Sequence, residues 1–417
     1  MKKQISNNKC IYYFGAKLTE GNKGMRELLG GKGANLAEMT SIGLPVPPGF
    51  TITTASCAEY HDAGEKLPAG LMNSVHKNMQ RLEKETGKCF GSSDDPLLVS
   101  VRSGSAVSMP GMMDTVLNLG LNDQSVKGLA SLTGNERFAM DAYRRLINMY
   151  SDVVMGIDHH HFETAFDKIK KRYKANQDTE LGVQGLRELI TAYKEIYKEH
   201  TRRKFPQDPY LQLQLAIEAV FRSWNIPRSI TYRRINEIHG LLGTAVNVQS
   251  MVFGNMGDES GTGVAFTRDP STGKNEFFGE FLINAQGEDV VAGIRTPLPV
   301  KAMKKWRPDI YWQLLEVKKI LESQYKDMQD IEFTIERGKL FILQTRNGKR
   351  TGTAAVKIAV DLVKEKSITQ STALLRVPAN DLNQLLLPSF DPKAKRNVLA
   401  TGLPASPGAA SGYPVFT

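Results

Sequence analysis

Hydrophobic positions change their spacing near residue 245, and this change separates two kinds of predicted element. Before it, apolar residues recur at steps of three and four in 136–152 and 186–203, which predicts amphipathic helices. From Ala245 onward, apolar and polar residues alternate in short runs separated by Gly, Asn, Asp and Ser, which predicts strands and turns. The mixture predicts an α/β (α+β) fold.

Four further segments carry recognisable patterns. The glycine-rich run 30–33 opens an apolar pattern with helical spacing. Residues 97–102 are predicted to form a buried strand, which runs into a loop rich in glycine and methionine at 103–113. Residues 301–325 have helical spacing, and 331–346 have the alternation of a β-hairpin.

Length and composition predict several globular domains. The 417 residues, of which 41% are hydrophobic, suit two or three domains with sizeable cores. Three widely spaced cysteines without a CxxC motif predict neither a disulfide framework nor a thiolate zinc site. No apolar run approaches the roughly 18 residues of a membrane helix, and the basic N-terminus lacks the apolar core of a signal peptide. We therefore expect a cytoplasmic protein with no membrane partner.

The net charge of +10 favours polyanionic partners. The basic residues are scattered over many short runs, however, and neither zinc-finger spacing nor an aromatic RNA-binding signature accompanies them. We therefore expect no nucleic-acid partner; steeply salt-dependent binding of oligonucleotides would contradict this expectation.

Two common nucleotide fingerprints are missing. No GxxxxGK[ST] motif occurs, because Gly31-Lys32 is followed by Gly33 and then by alanine, so the hydroxyl that a P-loop offers to Mg²⁺ is missing. The Gly261–Gly263 pair lacks the third glycine of a dinucleotide fingerprint. Neither a P-loop nor a Rossmann site is predicted.

The predicted hairpin carries a set of polar residues suited to metal and phosphate. Asp330 and Glu332 share one face of the first strand, and Gln344 and Arg346 share one face of the second. A three-residue turn would bring these two faces together, whereas a two-residue turn would place them on opposite faces. Carboxylate oxygens suit Mg²⁺, and a guanidinium suits phosphate. The alternative is a solvated face of surface ion pairs.

Other segments contribute separate candidates for a phosphate-rich site. Lys32 precedes a predicted helix N-terminus, where free N–H groups favour anions. Arg102 leaves a buried strand into a glycine loop, and Glu280 and Glu288 lie on either side of the segment 282–287. Each also has a purely structural interpretation. Lys32 would then be an exposed loop lysine, Arg102 part of a structural ion pair, and the two glutamates solvent-facing strand ends.

The run His159–His161 is interpreted as a group of surface side chains and not as a metal site. Consecutive residues of a helix or strand do not face one site, so the run by itself does not predict a metal centre.

Six segments resemble the N-terminal part of the pyruvate, phosphate dikinase family. The resemblance covers essentially the whole chain, and its methionine loop favours this family over the related phosphoenolpyruvate synthases. The matching segments are 28–39, 95–104, 108–115, 261–268, 284–293 and 343–350.

The resemblance implies an ATP-grasp fold in which two lobes enclose ATP and Mg²⁺. It implies a first lobe at 1–121 that continues at 207–249, a helical insertion at 122–206 and a second lobe at 250–346. A helical linker would follow at 347–398. The start of a truncated phosphohistidine domain would occupy 399–417.

The resemblance also implies roles for individual residues. Lys32 and Arg102 would contact phosphates, Gly111 and Thr115 would belong to a covering loop, and Arg346 would stabilise the transferred phosphate. Thr262 and Gly263 would hold phosphate oxygens through a second glycine loop, while Glu280 and Glu288 would line the nucleotide pocket. Metal and nucleotide would be held by Asp330, Glu332 and Gln344.

In that family, the terminal phosphates of ATP pass to a histidine on a swivelling domain. Phosphate and pyruvate then complete the formation of AMP, pyrophosphate and phosphoenolpyruvate. The acceptor histidine is absent here, so we expect this chain alone not to complete the reaction. The full enzyme would be a homodimer through its missing C-terminal domain, so we expect this fragment to be a monomer.

One departure concerns the loop after Arg102. The family usually has Ala-Arg where this chain has Ser105 and Ala106, so a cation near the phosphates is missing. A non-catalytic interaction or regulatory module that retains the ATP-grasp fold is the alternative function.

Overall fold

The computed structural model describes residues 9–291, 295–383, 391, 393–395, 397–400 and 412–413. The predicted start of a phosphohistidine domain at 399–417 therefore lies almost wholly outside the described residues. The chain divides into two compact units. The first unit comprises Met1–Gly261, Ile283–Gly287 and Thr334–Gln344, and the second comprises Thr262–Leu282, Glu288–Phe333 and Thr345–Thr417.

The first unit is built on a five-stranded antiparallel sheet. Its strands are β1 (Ile11–Phe14), β2 (Gly49–Ile52), β5 (Val99–Gly104), β6 (Thr115–Leu119) and β7 (Ala245–Ser250), and they lie in the order β1-β2-β7-β5-β6. Two short strands, β3 (Cys89–Phe90) and β4 (Pro96–Leu97), form a separate parallel pair.

Nine helices complete the described part of this unit. They are α1 (Arg26–Ser41), α2 (Thr54–Asp62), α3 (Leu71–Thr86), α4 (Ser125–Thr133), α5 (Glu136–Val153), α6 (His159–Tyr173), α7 (Val183–Thr201), α8 (Pro209–Ser223) and α9 (Pro227–Ile235).

Side-chain caps fix where several of these helices begin. Asn135 accepts the backbone N–H of Phe138 at the start of α5, and Asp208 caps α8, whose first residue is Pro209. The apolar faces of α5, α6 and α7 join the sheet in one continuous hydrophobic core, which is how the amphipathic pattern of this segment is satisfied.

The second unit contains most of another five-stranded sheet, in the order β10-β9-β8-β11-β12. Its strands are β8 (Gly261–Phe266), β9 (Phe278–Ile283), β10 (Leu298–Pro299), β11 (Gln329–Glu336) and β12 (Lys339–Asn347). The helices that lie between and after these strands in the chain are α10 (Gly287–Val291), α11 (Met303–Trp306), α12 (Pro308–Tyr325), α13 (Gly352–Lys364), α14 (Gln370–Arg376) and α15 (Ala379–Leu382).

The predicted α/β mixture of helix and sheet is confirmed, with two local differences. The helix predicted over 301–325 is interrupted at Arg307, because Pro308 disfavours helical backbone in the residue before it. The glycine-rich run at 30–33 lies inside α1 rather than before it, and the backbone leaves the helical conformation at Gly30, with φ 67° and ψ 167°.

Candidate phosphate and metal site

Lys32 lies in the first turn of the helical segment that begins after the break at Gly30. The break is stabilised by close packing, because a Cβ atom at Gly30 would lie 1.8 Å from the carbonyl oxygen of Gly104. The N–H of Gly31 donates to the Ser105 carbonyl at 2.8 Å. The predicted position of Lys32 at a helix start is therefore retained, and the loop after β5 packs directly against it.

Arg102 lies near the end of β5, two residues before Gly104, which packs against Lys32. A Cβ atom at Gly104 would lie 3.4 Å from the Cβ of Lys32. Asn247 on β7 faces Arg102 in the strand register and donates to its carbonyl oxygen at 3.3 Å. The structure thus places two cationic residues from distant parts of the chain beside one glycine-rich turn.

The predicted covering loop follows Arg102 and is anchored by α9. Thr115, at the start of β6, pairs with Arg102, while Gly111 is exposed and has a left-handed φ of 71°. Arg228 and Ser229 both donate to the Met112 carbonyl, at 3.2 and 2.7 Å. Arg228 also forms an ion pair with Asp114. Helix α9 therefore holds the loop at Met112 and Asp114, whereas Gly111 has open space around it.

In the second unit, Asp330 on β11 and Arg346 on β12 meet directly. Arg346 Nε donates to Asp330 Oδ2 at 2.5 Å; the aspartate side chain is buried and the arginine side chain is 44% exposed. Burial raises the pKa of Asp330 above its usual range, although the Arg346 bond opposes the shift. Burial also lowers the pKa of Arg346, but its bond to Asp330 outweighs that effect and the pKa is raised.

The turn of this hairpin has two residues, Arg337 and Gly338, both with positive φ. Strict alternation from such a turn would place Asp330 and Arg346 on opposite faces. Because the two side chains nevertheless bond, the alternation must be interrupted between the turn and this end of the hairpin, as at a β-bulge. The expected meeting of these residues occurs, but not through a three-residue turn.

Glu332 follows Asp330 on β11 and is half-buried, and its negative charge also raises the pKa of Asp330. Gln344 on β12 is buried. Carboxylate and amide oxygens are ligands that Mg²⁺ accepts, and Mg²⁺ takes one or two carboxylates together with substrate phosphates. A buried carboxylate with a raised pKa beside a second carboxylate fits a divalent cation. Among the described residues, no group of three or more His, Cys, Asp or Glu side chains has metal-binding spacing.

Thr262 and Gly263 lie within strand β8, so the expectation of a glycine loop at these residues is wrong. The Thr262 hydroxyl donates to the Phe333 carbonyl at 3.1 Å. A Cβ atom at Gly263 would lie 2.6 Å from both the Glu280 carbonyl oxygen and the Phe333 ring. Glycine is therefore required here because neighbouring strands approach closely.

Of the two glutamates predicted to line the nucleotide pocket, the structure describes the side chain of only one. Glu280 lies on β9, opposite Pro299 of β10, and is half-buried. Glu288 is the second residue of α10, and its side chain lies outside the description.

Sequence reasoning missed Asn247 as a positioning residue. Its amide bonds both Arg102 and Thr51, and Gly33 packs against it, with a Cβ position 2.8 Å from Asn247 Oδ1. The available signal was an asparagine between two valines, Val246 and Val248, in this strand. Arg228 and Ser229 gave no comparable signal, because their partners lie more than a hundred residues away.

Arg268, the last residue of the segment 261–268, is buried, and its ion pairs have a structural role. Its guanidinium is buried and makes paired bonds to Glu322 and to Glu365 at 2.7–3.1 Å. These bonds connect the end of β8 to α12 and to the end of α13.

Comparisons with known proteins identify similar sequences over most of this chain. A family model described as the AMP/ATP-binding domain of pyruvate phosphate dikinase matches residues 26–86, 63–308 and 309–367. The chloroplastic pyruvate, phosphate dikinase of Mesembryanthemum crystallinum is 58% identical over 411 residues, which are 98% of this chain and 43% of that protein. The pyruvate, phosphate dikinase of Clostridium symbiosum is 55% identical over 404 residues, 96% of this chain and 46% of that protein.

The similarity extends to a further bacterial relative. The pyruvate, phosphate dikinase of Rhizobium meliloti is 54% identical over 421 residues, 98% of this chain and 47% of that protein. The chain thus spans less than half the length of these relatives. Among the described residues, no helix has the length and apolar character needed to cross a bilayer.

Proposed function

This chain belongs to the family of pyruvate phosphate dikinase AMP/ATP-binding domains, and we propose that it binds ATP together with Mg²⁺ for phosphoryl transfer. The observation that carries the proposal is the contact between Asp330 and Arg346, because it joins a potential metal ligand to a potential phosphate ligand. The fold would be of the ATP-grasp type, with the lobe boundaries expected from the sequence.

Lys32 and Arg102 would bind phosphate oxygens in the first unit. Arg102 offers a planar fork of donors, and Lys32 lies where a helix begins, so both fit an anion. Gly111 would belong to the loop that covers the nucleotide, and Thr115 would lie where that loop enters strand β6. The open space at Gly111 leaves room for that role.

Asp330, Glu332 and Gln344 would hold the metal and the nucleotide. Mg²⁺, when bound there, would supply positive charge that neutralises the charge developing on the phosphates. Arg346 would exchange its bond to Asp330 for one to the transferred phosphate, and the 44% exposure of its side chain supports this role. Positioning and charge stabilisation then provide most of the catalysis.

The remaining candidates would line the nucleotide. Thr262 and Gly263 would act through the closely packed strand β8, and Glu280 and Glu288 would contact the nucleoside part. These four roles rest on the family resemblance.

The whole reaction extends beyond this chain. We propose that the terminal phosphates of ATP pass to a histidine of a phosphohistidine domain, and that the complete enzyme converts ATP, phosphate and pyruvate to AMP, pyrophosphate and phosphoenolpyruvate. The complete enzyme would be a homodimer, and this chain by itself a monomer. Three free cysteines fit a reducing compartment such as the cytoplasm.

Calorimetric titration with ATP, with and without Mg²⁺, tests the proposal. Wild type should show saturable binding that requires Mg²⁺, and Arg346→Ala should weaken it about tenfold or more, whereas Arg346→Lys should be intermediate. Arg307→Ala is the matched control, since Arg307 pairs with Asp309 two residues away at 2.8 Å and should not affect binding. Absence of ATP binding by folded wild type would overturn the proposal and favour a non-catalytic interaction module.

A further inference from the structure

His161 and His200 come together in the first unit, although the histidine run as a whole does not form one site. His161 is the third residue of α6, and His200 is the second-to-last residue of α7. Their ring centroids lie 4.6 Å apart with an interplanar angle of 51°, and both residues are exposed. The other two histidines of the run lie near partners on their own helix, His159 near Glu163 and His160 near Thr164.

The tautomer of His200 is fixed by its own helix. Its Nδ1 lies 2.9 Å from the Ile196 carbonyl oxygen, which can only accept a hydrogen bond, so Nδ1 carries the proton. Nε2 of His200 is then the atom with a free lone pair. Metal-binding histidines characteristically donate their other ring nitrogen to a carbonyl or carboxylate in this way.

The spacing of the two rings matches that of two imidazoles on one metal ion. A metal–nitrogen bond of about 2.05 Å, extended by about 1.15 Å to the ring centre, places each centroid about 3.2 Å from the ion. Two such centroids are about 4.5 Å apart when the angle at the metal is about 90°, and about 5.2 Å apart at a tetrahedral angle. The observed 4.6 Å fits the right-angle geometry of square-planar or octahedral ions.

We propose that His161 and His200 form a two-histidine site for a divalent transition-metal ion of the Cu²⁺ or Ni²⁺ class. Imidazole ligands and right-angle geometry favour Cu²⁺ and Ni²⁺ over Zn²⁺, whose sites are mostly tetrahedral. Water fills the remaining positions. The bound ion connects the first turn of α6 to the last turn of α7, and the site does not depend on the proposed nucleotide function.

Calorimetric titration of the untagged, full chain with NiCl₂ and CuCl₂ tests this site. Wild type should bind one equivalent through the pair, and His161→Asn and His200→Asn should each raise the Kd at least about tenfold. His159→Asn and His160→Asn are matched controls from the same run and should bind as wild type does. The Cu²⁺ complex of wild type should show two coordinated imidazole nitrogens by electron paramagnetic resonance.

The order of affinities is a second readout, with Cu²⁺ tightest, Ni²⁺ next and Zn²⁺ weakest. No binding by wild type would overturn the proposal. It would also be overturned by unchanged affinity in either His161→Asn or His200→Asn, or by an equal loss in His159→Asn or His160→Asn.

Discussion

Two aspartates, one in each unit, are bonded to arginine, and their pKa values shift in opposite directions. In the helices of the first unit, Asp141 accepts from Arg144 at 2.7 Å and from Arg145 at 3.0 Å. Burial raises its pKa, but the two arginines outweigh burial and hold the pKa at about 2. In the second unit, Asp330 accepts a hydrogen bond from Arg346, the one arginine bonded to its carboxylate among the residues that the structure describes, and burial keeps the pKa of Asp330 above the usual range.

The number of cations explains the difference. Asp141 has two arginines whose own side chains are mostly buried, so its charge is compensated within the protein. Asp330 has one half-exposed arginine and a second carboxylate, Glu332, close enough to raise its pKa. A buried carboxylate with too little positive charge around it favours a further cation. This comparison supports Mg²⁺ at Asp330, and it assigns Asp141 to structure.

The largest expected difference between the two pairs is in stability. Asp141→Ala removes the carboxylate that two mostly buried arginines share and should lower the free energy of unfolding by about 3–5 kcal/mol, although Arg144 also lies 3.7 Å from Asp178. Asp330→Ala should lower it by less than about 1 kcal/mol, because Arg346 is exposed enough to be hydrated. Urea denaturation of both variants measures the two values. Equal losses would contradict the assignment of one pair to structure and the other to function.

Acid titration separates the pairs by sign. The folded pKa of Asp141 is about 2, below its ordinary value of 3.8, so its contribution to stability is present above pH 4 and is lost as the pH falls toward 2. The loss should be about 2 kcal/mol. The raised pKa of Asp330 has the opposite effect, since protonation then favours the folded state.

Urea midpoints between pH 6 and pH 2 test this difference. The stability gap between wild type and Asp141→Asn should close on acidification, whereas the contribution of Asp330, measured with Asp330→Asn, should change the other way. Parallel curves for the two variants would contradict the opposite pKa shifts.

The next effect is on the Mg²⁺ dependence of ATP binding. Asp330→Asn removes the proposed ligand charge and should weaken binding in the presence of Mg²⁺ about tenfold, or about 1.4 kcal/mol, with little change in its absence. Asp327→Asn is the matched control, because both terminal nitrogens of Arg350 already bond Asp327, at 2.7 and 2.8 Å. Calorimetry on both variants would contradict the assignment if Asp327→Asn lost the Mg²⁺ dependence as well.

Sequence patterns selected the Asp330–Arg346 pair but not the Asp141 pair. Alternation along 331–346 was enough to predict the hairpin and to select Asp330 and Arg346 as candidates. It could not predict that they meet, since the two-residue turn implies opposite faces and the irregularity that reverses this leaves no pattern in the sequence. For Asp141 and Arg144, helical spacing three residues apart was visible, but their burial depends on the packing of α5 and α7.

The phosphate region shows the same limit. The glycine run located Lys32 at a helix start, because a helix needs a conformationally free residue at such a break. The approach of Gly104 to Gly30 and the bridging role of Asn247 depend on tertiary contacts between residues that are 74 and 145 positions apart in the sequence. Local patterns therefore predicted the candidates, and topology determined which of them meet.

The smallest expected effect concerns the turn that connects the strand of Asp330 to the strand of Arg346. A two-residue turn with both residues at positive φ favours Asn-Gly, whereas Arg337 adopts φ 45° with a long side chain. Arg337→Asn should relieve that strain and raise the free energy of unfolding by about 0.5 kcal/mol, or the Tm by about 1–2 °C. Its exposed bond to the Thr133 carbonyl, at 3.1 Å, is lost and limits the gain.

For Arg337→Asn, thermal denaturation measures the strain in the turn, and ATP calorimetry measures whether the turn determines the Asp330–Arg346 contact. If the irregularity in the hairpin, rather than the turn residue, brings Asp330 to Arg346, then ATP affinity with Mg²⁺ should equal that of wild type even as the Tm rises. A fall in affinity would show that the turn itself sets the contact. A fall in Tm with unchanged affinity would show instead that the Thr133 bond outweighs the backbone strain, and would leave the comparison of the two aspartates intact.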